Sequence, residues 1–267
     1  MTDQSPSPEA ILFLASQLAD GAAEHTLKWF RAPALVTQNK WAEGFDPVTE
    51  ADKAAELAMR ALLKAQRPED AVIGEESQDT FGTSGLSWVL DPIDGTRGYV
   101  SGTPTWGTLI ALNDGQEPIF GIIDQPYIGE RFVGGLGMAF MERDGIKTSL
   151  ATRKTRHLSQ ATIFTTFPEV GSPLEADAFH TLAEHCQLTR YGMDCYAYAL
   201  VAAGQIDLVI EAGLNNYDIQ APIALIEAAG GIVTNWEGGP VHQGGRALAA
   251  ANPTIHREAL DILKAVQ

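Results

Sequence analysis

An apolar run that ends in two carboxylates is the feature that most restricts how this 267-residue chain can fold. Residues 88–90 predict a buried strand, and Asp91 and Asp94 follow where such a strand should end. Gly95 permits a tight turn, and Thr96 is in position to cap a following helix. Open α/β sheets bind ligands outside the carboxyl ends of their strands, so this segment predicts a ligand site. An ordinary Asx-type turn explains the same residues equally well if nothing else in the chain joins them.

Periodicity along the rest of the chain predicts two successive halves of mixed helix and strand. The segment at 152–159 is polar and basic, and we predict that it divides a single domain of residues 1–267 into halves of about 1–152 and 153–267. In chain order we predict a helix over 7–30 starting at Ser7, a loop or ribbon over 39–47, a helix over 50–66 capped by Thr49, a strand over 71–74, a flexible surface loop over 77–87, an antiparallel meander over 108–112, 119–124 and 131–134, a hairpin over 140–145, a strand over 162–166, a helix over 173–186, a strand over 188–191, a helix over 195–203, a strand over 206–211, and a helix over 217–229 followed by a short apolar run.

Three further acids stand beside the ends of predicted elements. Glu75 follows the strand at 71–74, and Asp52 and Asp218 each fall in the first turn of a predicted helix. Stabilisation by the helix dipole is a sufficient structural explanation for each of those two aspartates alone. Separate explanations for every acid are less economical than one shared cation site.

Composition narrows the classes of function. Thirty-four acids against 18 bases give a formal charge of −16, which argues against a nucleic-acid partner or an anionic membrane surface. Cys186 and Cys195 have no disulfide-framework or zinc-type spacing, and the six histidines are scattered. The start of the sequence lacks the features of a signal peptide, and no apolar run reaches membrane-spanning length. We therefore expect a cytoplasmic protein.

Oxygen ligands without soft ligands favour Mg²⁺, which also shares the oxygens of a phosphate. Asp91 and Asp94 are placed to hold ions on two sides of one turn, with the Ile93 carbonyl between them. The N–H groups of Gly95 and Thr96 at a helix start would bind a phosphate. The chain has no P-loop, no EF-hand loop and no nucleophile elbow. These features favour phosphoryl transfer to a metal-activated water.

Four separated segments resemble the signature motifs of the inositol monophosphatase family. They are residues 48–52, 74–76, 88–96 and 217–221, and they occur in the family's order. The resemblance implies an α/β fold (α+β in some schemes), a layered αβαβα sandwich of the inositol-monophosphatase and fructose-1,6-bisphosphatase type. It also implies a homodimer and Mg²⁺-dependent hydrolysis of a small phosphate monoester.

The same resemblance implies a role for each matching residue. Glu75, Asp91 and the Ile93 carbonyl would bind a first Mg²⁺, and Asp91, Asp94 and Asp218 would bind a second. Thr96 and Glu75 would orient and deprotonate the attacking water, and Asp52 would assist through a third, weaker metal site. The predicted substrate contacts are Asp94, Gly95, Thr96, Gly192, Met193, Asp194, Glu211 and Asp218.

The substrate prediction rests on acidic residues and on a branch of the family. Residues 121–126, 129–131 and 194–196 resemble the histidinol-phosphate phosphatase branch. Asp194 and Glu211 would suit L-histidinol phosphate, whose alcohol carries an ammonium and an imidazole. Taken on its own, Asp194 is better explained as the cap of a helix that begins at Cys195. Inositol 1-phosphate, a sugar phosphate or an adenosine bisphosphate stay open as substrates, as does a metal-dependent regulatory protein without catalysis.

Overall fold

Two large β-sheets organise the residues described by the structure, a computed structural model that covers residues 6–33, 37–39 and 47–266. In chain order the elements are α1 (Pro8–Trp29), β1 (Thr37–Asn39), β2 (Pro47–Thr49), α2 (Glu50–Gln66), β3 (Ala71–Gly74), β4 (Ser87–Asp94), α3 (Thr96–Ser101), β5 (Gly107–Asn113), β6 (Pro118–Gln125), β7 (Glu130–Gly135), β8 (Met138–Arg143), β9 (Ile146–Ser149), a 3₁₀ turn (Leu158–Gln160), β10 (Thr162–Thr165), α4 (Pro173–Ala183), β11 (Leu188–Tyr191), α5 (Cys195–Ala202), β12 (Leu208–Leu214), α6 (Asn216–Ala228), β13 (Ile232–Thr234), β14 (Gly245–Ala250) and α7 (Pro253–Val266). One sheet has seven strands in the order β3-β4-β5-β6-β7-β8-β9, and the other has five in the order β11-β10-β12-β14-β13. β1 and β2 form a separate antiparallel ribbon.

Helices and sheets alternate in layers because both sheets are apolar on both faces. Successive side chains of a strand point to opposite faces, so Trp88 and Leu90 of β4 pack against α1 and α2, whereas Val89 faces α5 and α6. The five-stranded sheet covers the far side of α5 and α6, and α4 and α7 cover its outer face. The result is the αβαβα sandwich, so the fold prediction is confirmed.

Helix α6 lies so close to the seven-stranded sheet that glycine is required beneath it. A Cβ atom on Gly121 of β6 would lie 2.5 Å from the carbonyl oxygen of Ala221, and one on Gly134 of β7 would overlap the backbone of Leu225. Backbone atoms in a packed helix cannot move aside as the end of a side chain can. The two glycines therefore fix the distance of α6 from the sheet and, with it, the place of Asp218 in its first turn.

The predicted helix starts at Ser7 and Thr49 are confirmed. Their hydroxyls accept hydrogen bonds from the N–H groups of Ala10 and Ala51. Helix α4 ends at Ala183 rather than near residue 186, because its last residues form tighter turns.

Other predicted boundaries differ in the second half. β12 begins at Leu208 and continues past Glu211 through a bulge. β14 and α7 were not predicted, although Ile255, Ala259 and Leu263 of α7 are buried at helical spacing.

The predicted boundary at 152–159 lies between the last strand of one sheet and the first strand of the other. Division of a single domain into two halves stays a prediction. Most of the loop predicted at 39–47 lies outside the described residues. The loop predicted at 77–87 lies on the surface, and Thr80 is tied to Val72 by paired backbone hydrogen bonds. Among the described helices, none has the length and apolar content needed to cross a membrane.

Candidate active site

Three aspartates from distant parts of the chain meet at one point. Asp91 and Asp94 belong to β4, and Asp218 lies in the first turn of α6. One carboxylate oxygen from each lies within 4.8 Å of the other two. They line a cleft of about 280 Å³. Of the predicted site residues, the lining includes Glu75, Asp91, Ile93, Asp94, Gly95, Thr96, Asp194, Glu211 and Asp218.

A bulge in β4 shapes the floor of this cleft. The register of pairing between β4 and β5 shifts between Asp91 and Asp94. β4 therefore includes both aspartates, whereas the sequence predicts that the strand ends before Asp91. The Asp91 carboxylate accepts a hydrogen bond from the Ile93 N–H at 3.0 Å, which is the Asx-type contact of an ordinary turn. The turn and the acidic cluster are therefore built from the same residues, and neither explanation excludes the other.

The prediction that Thr96 caps a helix is wrong. Gly95 occupies the N-cap position with φ 83°, a left-handed conformation that glycine adopts without strain, and α3 begins at Thr96. The Thr96 hydroxyl instead donates a hydrogen bond to the Ile93 carbonyl at 3.0 Å. That contact places the hydroxyl beside the predicted main-chain metal ligand.

Asp94 links β4 to the start of α5 at the cleft. Its carboxylate accepts a hydrogen bond from the N–H of Cys195 at 2.6 Å, and Cys195 is the first residue of α5. Asp94 thus occupies the capping role that the sequence left open for Asp194. Negative charge at this helix start also interacts favourably with the helix dipole.

Asp194 stands at the N-cap position of α5, but its side chain makes no capping hydrogen bond. The capping explanation for Asp194 is therefore wrong. Its backbone has φ 45° and ψ −142°, a conformation that L-residues rarely adopt. The carboxylate lies against the β4–α3 turn, where a Cβ on Gly95 would be 2.7 Å from Asp194 Cγ, and the Thr105 hydroxyl is 3.5 Å from Oδ2. The unusual backbone directs the acid toward the cleft.

Asp218 and Asp52 stabilise the starts of their own helices, as their positions in the first turn predict. Asp218 accepts a hydrogen bond from the N–H of Asn215 at 2.6 Å, and Asp52 accepts one from the N–H of Thr49 at 2.8 Å. Capping nevertheless leaves Oδ1 of Asp52 buried without a hydrogen-bond partner. Asp52 does not line the cleft, but the charge of Glu75 reaches it and contributes to raising its pKa after the larger effect of burial.

Burial raises the pKa values of four aspartates of the cleft, Asp91, Asp94, Asp194 and Asp218. For Asp91 the pKa lies well above its usual range because of burial and then the charges of Glu75, Asp94 and Asp218. Burial and the neighbouring acids, with Asp194 first among them, act on the pKa of Asp94 in the same way. Burial is also the main cause that raises the pKa values of Asp218 and Asp194 to about 7. Repelling carboxylates in a cleft define a place where a cation would be bound.

Glu211 is held in the cleft by hydrogen bonds from two neighbouring residues. It accepts hydrogen bonds from the Thr166 N–H at 3.1 Å, from the Thr166 hydroxyl, and from the Tyr198 hydroxyl at 2.8 Å. Burial still raises its pKa. Sequence reasoning missed Thr166 and Tyr198 because an isolated hydroxyl at a strand end or in an apolar helix carries no distinctive pattern.

The rim of the cleft contains further residues that the sequence did not single out. The Arg97 guanidinium lies over the Phe167 ring at 4.8 Å from its centroid, and both side chains belong to the lining. This contact joins the first turn of α3 to the segment after β10. Gly192 and Met193, which were predicted to contact substrate, are outside the cleft lining.

The donor set fits a hard divalent cation. The described residues of the lining supply carboxylates and the Ile93 carbonyl and include no histidine. Cys195 belongs to the lining, but burial and the charge of Asp94 raise the pKa of its thiol well above the usual range, which disfavours the metal-binding thiolate. Oxygen-only sites suit Mg²⁺ rather than zinc or copper.

The fold and this acidic cleft correspond to a known class of metal-dependent phosphatase. The sequence pattern of the inositol monophosphatase family matches residues 7–267, and the chain belongs to that family. Members of the family act on small phosphorylated substrates and depend on metal ions, typically Mg²⁺.

The relatives of this chain are named after different substrates or activities. The bifunctional phosphatase IMPL2 of Arabidopsis thaliana is 37% identical over 94% of this chain and 74% of its own, and the histidinol-phosphatase of Streptomyces coelicolor is 37% identical over 94% and 96%. A solved structure of an inositol monophosphatase from Zymomonas mobilis shares 37% sequence identity with this chain. The two superpose with a TM-score of 0.84, over 97% of this chain and all of that one. Proteins named inositol-1-monophosphatase match as well. Family membership alone therefore does not select the substrate.

Proposed function

We propose that this protein hydrolyses L-histidinol phosphate to L-histidinol and phosphate in a Mg²⁺-dependent reaction. The observation that carries the proposal is the convergence of Asp91, Asp94 and Asp218 within 4.8 Å, together with the raised pKa values of these acids. Two ions per site, with a third more weakly held, are part of the proposal.

The acids divide into two overlapping ligand sets. Asp91, Asp94 and Asp218 are assigned to one ion, and Asp91, Glu75 and the Ile93 carbonyl are assigned to the other. The unpartnered Oδ1 of Asp52 supports an auxiliary role for that residue near Glu75. When bound, Mg²⁺ supplies a lower pKa for the attacking water and neutralises negative charge on the leaving oxygen.

The chain itself orients the water and the phosphate. Because the Thr96 hydroxyl donates a hydrogen bond to the Ile93 carbonyl, its oxygen is left to accept a hydrogen bond from the water. Glu75 is assigned to accept the proton that the water loses. The first N–H groups of a helix have no partner within it, so Gly95 and Thr96 at the start of α3 are assigned to the phosphate oxygens. Fixing both reactants in this way favours in-line attack.

Asp194 and Glu211 favour a cationic alcohol. Both line the cleft, and after burial the charge of Glu211 is the next cause that raises the pKa of Asp194. An ammonium or imidazolium group placed between them would relieve this repulsion, whereas a neutral polyol would not. Gly192 and Met193, in the segment before Asp194, remain proposed substrate contacts. Homodimer formation and a cytoplasmic location stay predictions.

Removal of the metal tests the reaction class. We expect phosphate release from histidinol phosphate to fall to background in EDTA and to return when Mg²⁺ is added in excess. The measurement is phosphate release by the purified full-length chain, with NaCl at equal ionic strength in place of Mg²⁺ as the control. Turnover that continued undiminished in EDTA would exclude the mechanism, and no turnover in either condition would favour a regulatory protein.

Replacement of Asp194 by alanine tests the substrate. We expect kcat/KM for histidinol phosphate to fall about 10- to 100-fold, the effect of losing roughly 1.4 to 2.7 kcal/mol of charge pairing. The value for inositol 1-phosphate should change by less than about threefold on the same scale. Asp194→Asn, which keeps the shape of the side chain, is the matched variant. Equal losses on both substrates, or a wild-type preference for inositol 1-phosphate, would support the polyol alternative.

A further inference from the structure

One face of α2 carries polar groups toward the turn that follows β3. Asp52, Glu56 and Arg60 are spaced four residues apart and therefore lie on one side of the helix. Glu56 is completely buried, and its Oε1 lies 2.7 Å from Nε of Arg60. A buried ion pair contributes little net stability compared with apolar packing, so its presence here calls for another explanation.

Both members of the pair hold the backbone next to Glu75. The second carboxylate oxygen of Glu56 accepts a hydrogen bond from the N–H of Glu76 at 2.7 Å. Nη2 of Arg60 donates to the carbonyl of Ser77 at 3.2 Å. The two residues that follow Glu75 are therefore fastened to α2 rather than to the sheet.

The preceding residue is adapted to the same contact. A Cβ atom on Gly74 would lie 2.6 Å from Oε1 of Glu56 and 2.8 Å from Nη2 of Arg60, so the absence of a side chain lets the pair approach the turn. On the opposite side, the N–H of Glu75 donates to the carbonyl of Leu90 in β4 at 3.3 Å. The backbone of Glu75 is thus held between β4 and α2.

We propose that Glu56 and Arg60 are positioning residues that fix the direction of the Glu75 carboxylate toward the metal and the attacking water. Neither belongs to the cleft lining, so they act through Glu75. The inference rests on the function proposed above. Partners that orient a metal ligand typically change metal affinity or activity about 10- to 100-fold when they are replaced.

The main test is Arg60→Lys, which keeps the positive charge but loses the planar fork that reaches Glu56 and Ser77 together. We expect the dissociation constant of Mg²⁺, measured by titration calorimetry without substrate, to rise about 10- to 100-fold. At saturating Mg²⁺, kcat should fall while KM for histidinol phosphate stays within about twofold, because the proposed role of Glu75 is in the reaction rather than in substrate binding. Gly74→Ala keeps both charges and displaces them from the turn, so it should act in the same direction.

Arg67→Lys provides a matched control at the other end of β3. Arg67, the C-cap of α2, pairs with the buried Asp70 at 2.8 Å, just before β3 begins. We expect a loss of melting temperature comparable to that of Arg60→Lys, with the Mg²⁺ dissociation constant within about twofold of wild type. If this control loses as much Mg²⁺ affinity as Arg60→Lys, the loss in Arg60→Lys is due to general destabilisation, and the proposal is overturned.

Wild type and Glu75→Gln distinguish failure of this inference from failure of the proposed function. If wild type shows no Mg²⁺-dependent phosphatase activity, the function itself is wrong and the inference falls with it. Suppose instead that wild type is Mg²⁺-dependent and that Glu75→Gln weakens Mg²⁺ binding. If Arg60→Lys and Gly74→Ala then bind Mg²⁺ as tightly as wild type, the positioning role is overturned and the proposed function stands. Circular dichroism confirms folding, and Gly74→Ala decides the question if Arg60→Lys does not fold.

Discussion

Replacing Asp91 by asparagine is expected to lower kcat/KM by more than about 10³-fold, beyond the 10- to 100-fold effect typical of residues that only orient a metal ligand. Asp91 is the one acid assigned to both ions, so no neighbouring carboxylate can replace its charge. Asparagine retains the Oδ1 atom that accepts the Ile93 N–H at 3.0 Å, so the turn should persist. The measurement is kcat/KM on histidinol phosphate at saturating Mg²⁺, with circular dichroism to confirm the fold.

The same substitution is expected to stabilise the metal-free protein. Burial, followed by the charges of Glu75, Asp94 and Asp218, raises the pKa of Asp91, so its ionised form opposes folding when no cation is bound. A neutral amide removes this repulsion, and each kcal/mol gained should raise the melting temperature by about 2–4 °C. Loss of activity with gain of stability is the pattern expected when an acid is retained for function.

Asp70→Asn is the control for a buried aspartate with a structural role. Burial disfavours the ionised form of Asp70, but hydrogen bonds from Arg67, Ser84 and Trp88 outweigh burial and lower its pKa. This variant should therefore lose stability and keep its activity. Full activity in Asp91→Asn, or a metal-free melting temperature below that of wild type, would contradict the assignment of Asp91.

Mg²⁺ is expected to raise the melting temperature much more at pH 8 than at pH 5. In the metal-free protein, burial is the main cause that raises the pKa of Asp52 to about 6 and those of Asp194 and Asp218 to about 7. The folded state then retains protons that the unfolded chain loses near pH 4. Stability from these protonated acids is present below about pH 4 and is lost as the pH rises through 6 to 7.

Metal binding has the opposite pH dependence, because only deprotonated carboxylates bind the ion. At a free concentration of about 100 times its dissociation constant, each bound ion adds about 2.7 kcal/mol to the free energy of unfolding. Thermal unfolding at pH 5, 6, 7 and 8, with saturating Mg²⁺ or with EDTA, measures the difference. In Asp91→Asn, the increase in melting temperature caused by Mg²⁺ should grow much less with pH than in wild type. An equal Mg²⁺ effect at pH 5 and pH 8 in wild type would argue against a cation site built from these acids.

Much of the fold follows from local patterns in the sequence. Apolar residues at helical spacing with Ser7 or Thr49 before them are sufficient to start α1 and α2, because an N-cap hydroxyl satisfies an N–H that the helix itself leaves unpaired. The apolar run at 88–90 predicts the buried strand that β4 forms, and the structure places Trp88 and Val89 on opposite faces of it. The limits of β12 and α4 were less accurate, because a bulge and a tightened last turn depend on neighbouring segments.

The acids of the site were found from their positions at the ends of elements and from motif resemblance, but their partners were not. Sequence spacing cannot show that the carboxylate of Asp94 receives the N–H of Cys195, a residue 101 positions away. It also could not separate the two explanations of Asp194, since a residue at an N-cap position caps the helix only if its side chain turns back toward it.

The sequence by itself thus determined the chemistry available: carboxylates beside a glycine turn, few soft ligands and a layered α/β pattern. Only the tertiary structure decided which acids face one another, that Glu211 is held by Thr166 and Tyr198, and that Glu56 and Arg60 hold the turn beside Glu75. The physical reason is the distance over which each interaction acts. Capping, turns and periodicity act over a few neighbouring residues, whereas charge repulsion and metal affinity depend on distances set by packing α6 and α2 against the same sheet.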